Sequence, residues 1–378
     1  EGIEDSLEKA ELYLNSVVEA YPGDAPGTSR EKRRTYIVEA NAMIDFLMKK
    51  GIPFEKAPKW PDYYDDNPGG MLSRTVHAKL FNINELGEWK HKLRPNAFPY
   101  PLPIYDGVML PLIKRSWTAR RLAVTMTLRN FFGKLTGKKW VTAGAALQGR
   151  MLQAALKAGA DIRNNSPVRE IIVENGAVTG VVTEKDPHTR KEWTHAGEGD
   201  TGDMHKELMR IGAVMGQMEE MVGNQMFMSP TGGPVGAQMQ LAKPHAFMVD
   251  QTGVRYMSEG GSYMLFCQSM LERHKTVPAV PSWVIMDSQF KRYHMMADSM
   301  PGSKKPDQWF SSGFLKTSDT IEGLAKEIGV DPATLKATTE RFNMFARNGK
   351  DEDFGRGDRE YDKWLGDHTQ TPNPALGT

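Results

Sequence analysis

The sequence contains eleven tyrosines, which can do acid–base chemistry where the phenolate is stabilised. Tyr63 and Tyr64 follow Asp62 and precede a Pro-Gly-Gly turn at 68–70, and Tyr263 follows a Gly-Ser dipeptide. A free tyrosine has a pKa of about 10, which is too high for an efficient base at neutral pH. Hydrogen-bond donors or positive charge must therefore stabilise its phenolate. A pair of tyrosines is one arrangement that meets this requirement.

The composition is that of an ordinary globular protein. The 378 residues suffice for two domains with a sizeable core, and a net charge of +1 implies no general attraction to nucleic acid. Cys267 is the single cysteine, so no internal disulfide forms, and a reducing compartment such as the cytoplasm is expected. The nine histidines are scattered and no CxxC occurs, so we expect no metal site.

The segment 108–139 combines basic and apolar residues, and no acidic residue occurs between 108 and 160. A basic helix with Trp, Phe and Leu on one face can lie on an anionic membrane, and the sequence contains no apolar run of transmembrane length. The alternative is a solvated basic face whose apolar side packs on its own protein. Peripheral attachment to the inner face of the membrane is therefore one of two expectations. The basic residues are Lys114, Arg115, Arg120, Arg121, Arg129, Lys134, Lys138 and Lys139.

Hydrophobic periodicity and capping residues predict several elements. Methionines are dense between 204 and 228, which indicates either a soft core or a pocket for a bulky apolar substrate. Helices are predicted over 5–20, 30–50, 204–221, 320–329 (with Ser318 as the preferred cap) and 331–347, and a loop that enters a helix over 144–156. Strands are predicted over 160–162, 168–173 and 177–183, a hairpin over 246–257, and a long irregular segment over 53–107.

Four stretches in a characteristic order resemble the FAD-dependent family of fumarate reductase flavoproteins and 3-ketosteroid dehydrogenases. They span most of residues 140–378. The stretches are Ala143-Gly-Ala-Ala-Leu-Gln-Gly149-Arg150 with the strands that follow, Gly199-Asp-Thr-Gly202-Asp203, Asp250-Gln-Thr-Gly253-Val-Arg255 through Glu259, and Arg341-Phe342-Asn343 with Phe354-Gly-Arg-Gly357.

The resemblance implies an α/β fold in which a FAD-binding flavoprotein domain carries an α+β substrate cap. Residues 1–213 would be what remains of the FAD-binding domain, with the basic segment 108–139 as an insertion. Residues 214–355 would be the catalytic cap, and 356–378 would return to the FAD-binding domain. The active site would lie between the two domains.

The same resemblance implies which residues contact FAD. Small residues let the backbone approach a flavin closely. Asp203 has two open interpretations, a flavin contact or a helix cap, whereas Arg255 and Glu259 are expected to form a structural ion pair. The implied cofactor-binding residues are Gly144, Ala145, Gly149, Arg150, Val168, Gly202 and Asp203.

Within the family the steroid branch fits best. Its resemblance implies that Tyr263 is the base, that Tyr63 hydrogen-bonds to it, and that Tyr64 is the competing choice for the second role. The reaction implied is introduction of a C1–C2 double bond into a 3-ketosteroid, with hydride transfer to FAD and an external electron acceptor. Alternatives are a Δ4-dehydrogenase, an enoate reductase, or an inactive, cofactor-free truncated form.

The sequence also departs from the family pattern. The family opens with a strand and a GxGxxG turn that receives the FAD pyrophosphate, and no GxGxxG occurs in the first 190 residues of this sequence. The strand and glycine turn expected between Glu192 and Trp193 are not present, and the chain stops at Thr378, before the family's last flavin-contacting segment. We therefore expect that segments which bind FAD are missing from this chain.

Overall fold

The computed structural model describes residues 5–18, 26–93, 101–162, 169–174, 177–183, 202–213 and 222–378. The chain forms two compact units, one of Glu1–Ala155 with Gly223–Thr378 and a second of Leu156–Val222. The domain boundary predicted at 213/214 falls inside the second unit. The division into a FAD-binding domain and a cap stays a prediction.

The first unit begins with two helices, as the periodicity predicted. Helix α1 is Leu7–Val18 and α2 is Arg30–Lys49. The Ser29 hydroxyl caps α2 by accepting a hydrogen bond from the Lys32 amide. The segment predicted to be irregular contains short pieces of regular structure, which are β1 (Phe54–Lys56), β2 (Val76–Ala78), β3 (Phe81–Asn82), a 3-10 helix (Ile83–His91) and α3 (Ile104–Gly107).

Helices α4 (Trp117–Leu135) and α5 (Ala143–Lys157) flank strand β4 (Trp140–Val141). Strand β4 pairs antiparallel with β3, as β1 does with β2. Phe81, Val141 and Ala146 are buried together in a core that β3, β4 and α5 share. The helix predicted within 144–156 is thus confirmed and is fixed by its contact with β3.

The second unit contains the strand pair β5 (Arg169–Glu174) and β6 (Ala177–Thr183), which is antiparallel, and helix α6 (Asp203–Arg210). The two strands agree with the prediction, whereas 160–162 is not a strand. Residues 175–176, predicted as the hairpin turn, lie outside the described residues. The helix predicted over 204–221 ends early because Gly212 adopts a positive φ of 96°, and residues 214–221 are also outside the described part.

The rest of the first unit continues with β7 (Met226–Ser229), β8 (Gly233–Gly236), α7 (Gln238–Leu241), β9 (Ala246–Val249), α8 (Tyr263–His274) and β10 (Trp283–Met286). The predicted hairpin over 246–257 is wrong, because β9 pairs antiparallel with β10. A turn does form at Asp250, whose carboxylate accepts hydrogen bonds from the amides of Thr252 and Val254. The chain after this turn runs inward instead of forming a second strand.

Helices α9 (Ser288–Tyr293), α10 (Asp307–Ser311), α11 (Ile321–Ile328), α12 (Pro332–Asn348) and α13 (Glu360–Leu365) complete the first unit. Asp331 caps α12, as predicted. The cap of α11 is Thr320, which accepts from the Gly323 amide, so the preference for Ser318 was wrong. Helices α11 and α12 pack on β9 and β10 around Phe247 and Phe342. All strand pairs among the described residues are antiparallel.

A buried cluster of four charges, which we call the charge cluster, joins the turn after β9 to the segment after α12. Arg255 donates hydrogen bonds to Glu259 (2.9 Å) and to Asp351 (2.7 Å). Arg356 donates to Glu259 (2.9 Å) and to three main-chain carbonyls. Each of the four side chains exposes 7% or less of its surface, so solvent does not screen these pairs. The ion pair predicted between Arg255 and Glu259 is confirmed.

The two arginines keep the buried carboxylates ionised. Burial alone would raise the pKa of Glu259, but the positive charges of Arg255 and Arg356 outweigh it and lower that pKa. Burial alone would likewise raise the pKa of Asp351. Hydrogen bonds from Arg255 outweigh burial and lower that pKa. A carboxyl with a depressed pKa stabilises the fold above its unfolded pKa, and the effect is lost as the pH falls through the folded pKa.

Replacing Glu259 by Gln should lower the free energy of unfolding by about 3–5 kcal/mol, since it leaves buried guanidinium groups without their carboxylate. Urea denaturation measures this. The difference from wild type should persist above about pH 4 and shrink in more acidic solution. The control is Glu322→Gln, which breaks an exposed pair with Lys336 and should leave the urea midpoint nearly unchanged. Equal losses in both variants would contradict a special role of the charge cluster.

Candidate active site

Three tyrosines meet in the first unit, and we call them the tyrosine cluster. The rings of Tyr63 and Tyr263 lie 5.4 Å apart, edge to face, and those of Tyr63 and Tyr361 lie 5.3 Å apart in the same manner. Tyr361 is almost completely buried, whereas Tyr63 exposes 37% of its surface. Edge-to-face packing of this kind stabilises a fixed mutual orientation of the rings.

Tyr263 is the first residue of α8. Ser262 caps this helix through its hydroxyl, which accepts a hydrogen bond from the Leu265 amide at 3.3 Å. The turn that leads into Tyr263 begins at Glu259, a member of the charge cluster. Tyr263 therefore has a position set by the cap and by the buried ion pairs.

The loop that carries Tyr63 is held by α1 and by Arg74. Gly69 lies so close to the α1 backbone, at Lys9 and Tyr13, that no side chain would fit there. The Tyr64 amide donates to the Tyr13 hydroxyl at 3.2 Å. Arg74 pairs with Asp62 at 2.5 Å. These contacts fix the loop with the Tyr63 ring against Tyr263, so of the two candidates it is Tyr63, and not Tyr64, that the structure pairs with Tyr263.

Tyr361 was missed in the sequence. Its hydroxyl accepts a hydrogen bond from the Gln238 side-chain amide at 2.9 Å. It lies about 300 residues from Tyr63 in sequence, and no local pattern marks it. The available signal was its position between the Phe-Gly-Arg-Gly run ending at Gly357 and Asn373-Pro374, both of which resemble the steroid branch.

Burial favours the neutral form of two of these phenols. Partial burial raises the pKa of Tyr63, and the neighbouring Tyr263 phenol raises it further. Burial also raises the pKa of Tyr361, although the bond from Gln238 opposes the shift. A neutral Tyr63 hydroxyl is a donor, which is the role required of the partner of a tyrosine base.

The expected cofactor-binding residues on α5 have different surroundings. The ring of Phe81 covers Gly149, where a Cβ would lie 2.8 Å from the ring carbons. Arg150 donates to the main-chain carbonyls of Lys79 and Leu80. Ala145 packs on the core around Phe81. Gly149, Arg150 and Ala145 thus have roles in packing, and their contact with FAD stays a prediction.

Gly144 in the first unit and Gly202 in the second have more open surroundings, and their contact with FAD also stays a prediction. Gly144 lies in the first turn of α5 with open space where a Cβ would be, and Gly202 occupies the N-cap position of α6 with equally open surroundings. Accessible helix N-termini suit a phosphate group. Asp203 is the first helical residue of α6, so it is not the N-cap residue. Val168 lies outside the described residues.

Cys267 is buried in α8, four residues after Tyr263. Burial raises the pKa of its thiol to about 11, so the thiol is protonated at neutral pH. Cys267 is therefore an inert, apolar residue of α8 and not a nucleophile.

The family of the chain follows from its match to the FAD binding domain family over residues 1–194 and 182–377. The chain belongs to this family of flavoproteins. It is 28% identical to a 3-oxosteroid 1-dehydrogenase of Mycolicibacterium smegmatis, covering all of this chain and 73% of that protein. It is 27% identical to a 4-oxocyclohexanecarboxylate 2-dehydrogenase of Sinomonas cyclohexanicum, again over all of this chain and over 69% of that protein.

A solved structure shares the fold. The 3-ketosteroid Δ1-dehydrogenase of Sterolibacterium denitrificans, in complex with 1,4-androstadiene-3,17-dione, superposes with a TM-score of 0.86 at 24% identity. The match covers all of this chain and 75% of that chain. These comparisons confirm the α/β flavoprotein fold, FAD as the cofactor and an oxidoreductase of the expected family.

The buried tyrosines should resist ionisation. In a near-ultraviolet pH titration, the difference between wild type and Tyr63→Phe should show no phenolate signal from Tyr63 until well above pH 10, because burial disfavours the charged form. In denaturant the same difference should titrate at about pH 10. A Tyr63 signal at about pH 10 in the folded protein would contradict the raised pKa that follows from its partly buried position.

Proposed function

We propose that the protein is an FAD-dependent dehydrogenase that introduces a C1–C2 double bond into a 3-ketosteroid. The observation that carries the proposal is the contact between Tyr63 and Tyr263, at 5.4 Å between ring centres. Relatives over the whole chain are named for the same reaction, which supports the substrate class.

Removing two hydrogens beside a carbonyl requires a base for the first. Tyr263, as phenolate, would take the proton from the carbon next to the carbonyl, and its oxygen would hold that proton afterwards. Tyr63 would donate a hydrogen bond to the Tyr263 oxygen, which would favour its negative charge. Bound FAD would supply a hydride acceptor for the second hydrogen, on the adjacent carbon.

In the first unit, main-chain amides at the N-terminus of α5, near Gly144, would hold a phosphate of FAD. That position admits a close approach of a phosphate oxygen because no side chain of the described residues fills the space. An external electron acceptor would reoxidise the flavin.

Product analysis separates this proposal from its rivals within the family. We expect 4-androstene-3,17-dione, incubated with the protein and an artificial electron acceptor, to yield the 1,4-diene with loss of two hydrogens. A relative named for dehydrogenating 4-oxocyclohexanecarboxylate makes a simpler cyclic ketone the second substrate to test. A double bond at C4, or reduction of an added enoate, would favour a Δ4-dehydrogenase or an enoate reductase instead.

Replacing Tyr263 by Phe should reduce kcat by at least about a hundredfold, the range expected for loss of a general base, while the flavin spectrum is retained. The matched control is Tyr256→Phe, which removes another partly buried hydroxyl, hydrogen-bonded to Ser282 at 2.8 Å. This control should keep wild-type turnover. Near-normal turnover of Tyr263→Phe would remove Tyr263 from the mechanism.

We also propose that α4 attaches the protein to an anionic membrane. The helix has 19 residues, of which Ala119 and Gly133 are buried, and it contains no acidic residue. Trp117, Phe131 and Phe132 expose 78%, 56% and 57% of their surface. Among the described residues no helix combines the length and apolar character needed to cross a bilayer. An exposed apolar face beside basic side chains favours binding along the membrane surface.

Replacing Phe131 and Phe132 together by Ser should weaken binding to phosphatidylserine vesicles by about tenfold or more, since two aromatic side chains no longer enter the interface. Vesicle co-sedimentation measures this. Phe46→Ser is the matched control, because Phe46 is 56% exposed on α2, a helix that also carries Glu31, Glu39 and Asp45. Unchanged binding of the double variant, or an equal loss in the control, would overturn the role of α4.

A further inference from the structure

We infer that Asp65 is a positioning residue, which sets Tyr63 against Tyr263 by capping helix α13 from a distant part of the chain. The inference rests on the proposed function, since it assigns Asp65 to the orientation of the proposed base pair. Three sets of contacts carry it, and all lie within the first unit.

The first set is the cap itself. Helix α13 begins after Arg359, and that residue makes no side-chain cap hydrogen bond. Instead, the Asp65 carboxylate accepts hydrogen bonds from the amides of Glu360 (2.9 Å) and Tyr361 (3.4 Å). These amides belong to the first turn, where a helix leaves its donors without partners inside the helix. A helix of six residues gains little stability by itself, so an external acceptor matters more for it.

The second set joins the same loop to the body of α13. The Trp60 and Trp364 rings lie 4.6 Å apart, and the Tyr63 and Tyr361 rings 5.3 Å apart. Gln238 fixes the far end of Tyr361 through its hydroxyl. Asp65 is two residues from Tyr63, so the cap and the ring contacts together determine where the Tyr63 ring lies.

The third set joins α13 to the turn that precedes Tyr263. A Cβ on Gly260 would lie 2.9 Å from the Asp362 carboxyl carbon, and a Cβ on Gly261 would lie 3.0 Å from the Arg359 guanidinium. The start of α13 thus packs directly on the Gly260–Gly261 backbone. Helix α13 contacts the segments of both tyrosines, so their separation depends on how the Tyr63 loop is attached to it.

The variant that tests this is Asp65→Ala in the FAD-loaded, full-length protein. Loss of the cap releases the Tyr63 loop from α13, and misplacement of a catalytic partner by about 1 Å can cost as much as a hundredfold in rate. We expect kcat to fall about tenfold or more with KM within about twofold of wild type. The rising limb of the pH profile should move to higher pH, because Tyr63 donates less well to the base.

Two further variants separate positioning from general stability. Asp331→Ala removes the same carboxylate cap from α12, where Asp331 accepts from the Thr334 amide at 2.7 Å, remote in the fold from the tyrosine cluster. Asp331 has no contact in common with Tyr63, Tyr263 or Tyr361 among those given above, so this variant should lower thermal stability and leave kcat and the pH profile unchanged. Asp65→Asn keeps one acceptor oxygen, so it should recover kcat to within about threefold of wild type.

A second measurement does not depend on turnover. NMR of ring-labelled tyrosines, assigned with Tyr63→Phe and Tyr263→Phe, reports the edge-to-face contact through ring-current shifts. Asp65→Ala should change the Tyr63 and Tyr263 signals, and Asp331→Ala should not. Unchanged signals in Asp65→Ala, or equal kinetic effects of both alanine variants, would overturn the inference. Wild-type protein without steroid turnover, but with the signal change in Asp65→Ala, would refute only the proposed reaction.

Discussion

The position of Tyr263 depends on the charge cluster of Arg255, Glu259, Asp351 and Arg356. Buried ion pairs contribute little net stability, because desolvation offsets their attraction, but they are costly when one partner is lost. Their effect here is to select one arrangement of the chain. Arg356 reaches Glu259 and the carbonyls of Leu241, Lys243 and Ala246 together, so the turn after β9, the end of α7 and the segment after α12 must all be in place. Once Arg356 has formed these hydrogen bonds, the conformation of the turn from Glu259 to Tyr263 is fixed.

The charge cluster also fixes the position of α13, through Gly357, the residue after Arg356. Gly357 has a φ of 87°, and the Asn373 side chain occupies the space that a Cβ would need. The main-chain amide of Gly357 donates a hydrogen bond to the Asp362 carboxylate at 3.0 Å. This bond fixes the first turn of α13 relative to the charge cluster. Helix α13 is therefore placed by ion pairs on one side and carries the Tyr63 loop on the other. A short helix without a cap of its own can serve in this way because its free amides remain available to Asp65.

Local signals in the sequence predicted local structure well. Asp331 followed by Pro332 specifies a helix start in two adjacent residues, and α12 begins there. The partner of β9 could not be predicted, because all four β9 residues are buried and thus show no alternation, and β10 lies more than thirty residues further on. Resemblance indicated Tyr263 and the pair Tyr63 and Tyr64. The choice between the latter two needs the contacts of α1 and α13, and these depend on residues far apart in the chain.

The residue just before α4 is bonded to the segment that follows α13, the helix that carries Tyr361 of the tyrosine cluster. Arg115, just before α4, forms an ion pair at 3.1 Å with the buried Asp367, two residues after α13 ends. Lys243 donates hydrogen bonds to the carbonyls of Leu365 and Gly366, and these bonds also hold the segment at the end of α13. One side of the stretch 360–367 thus supports Tyr63, and its end holds the base of α4. Binding of α4 to a membrane, as proposed above, would therefore orient the unit that carries the tyrosine cluster, because these bonds join the start of α4 to it.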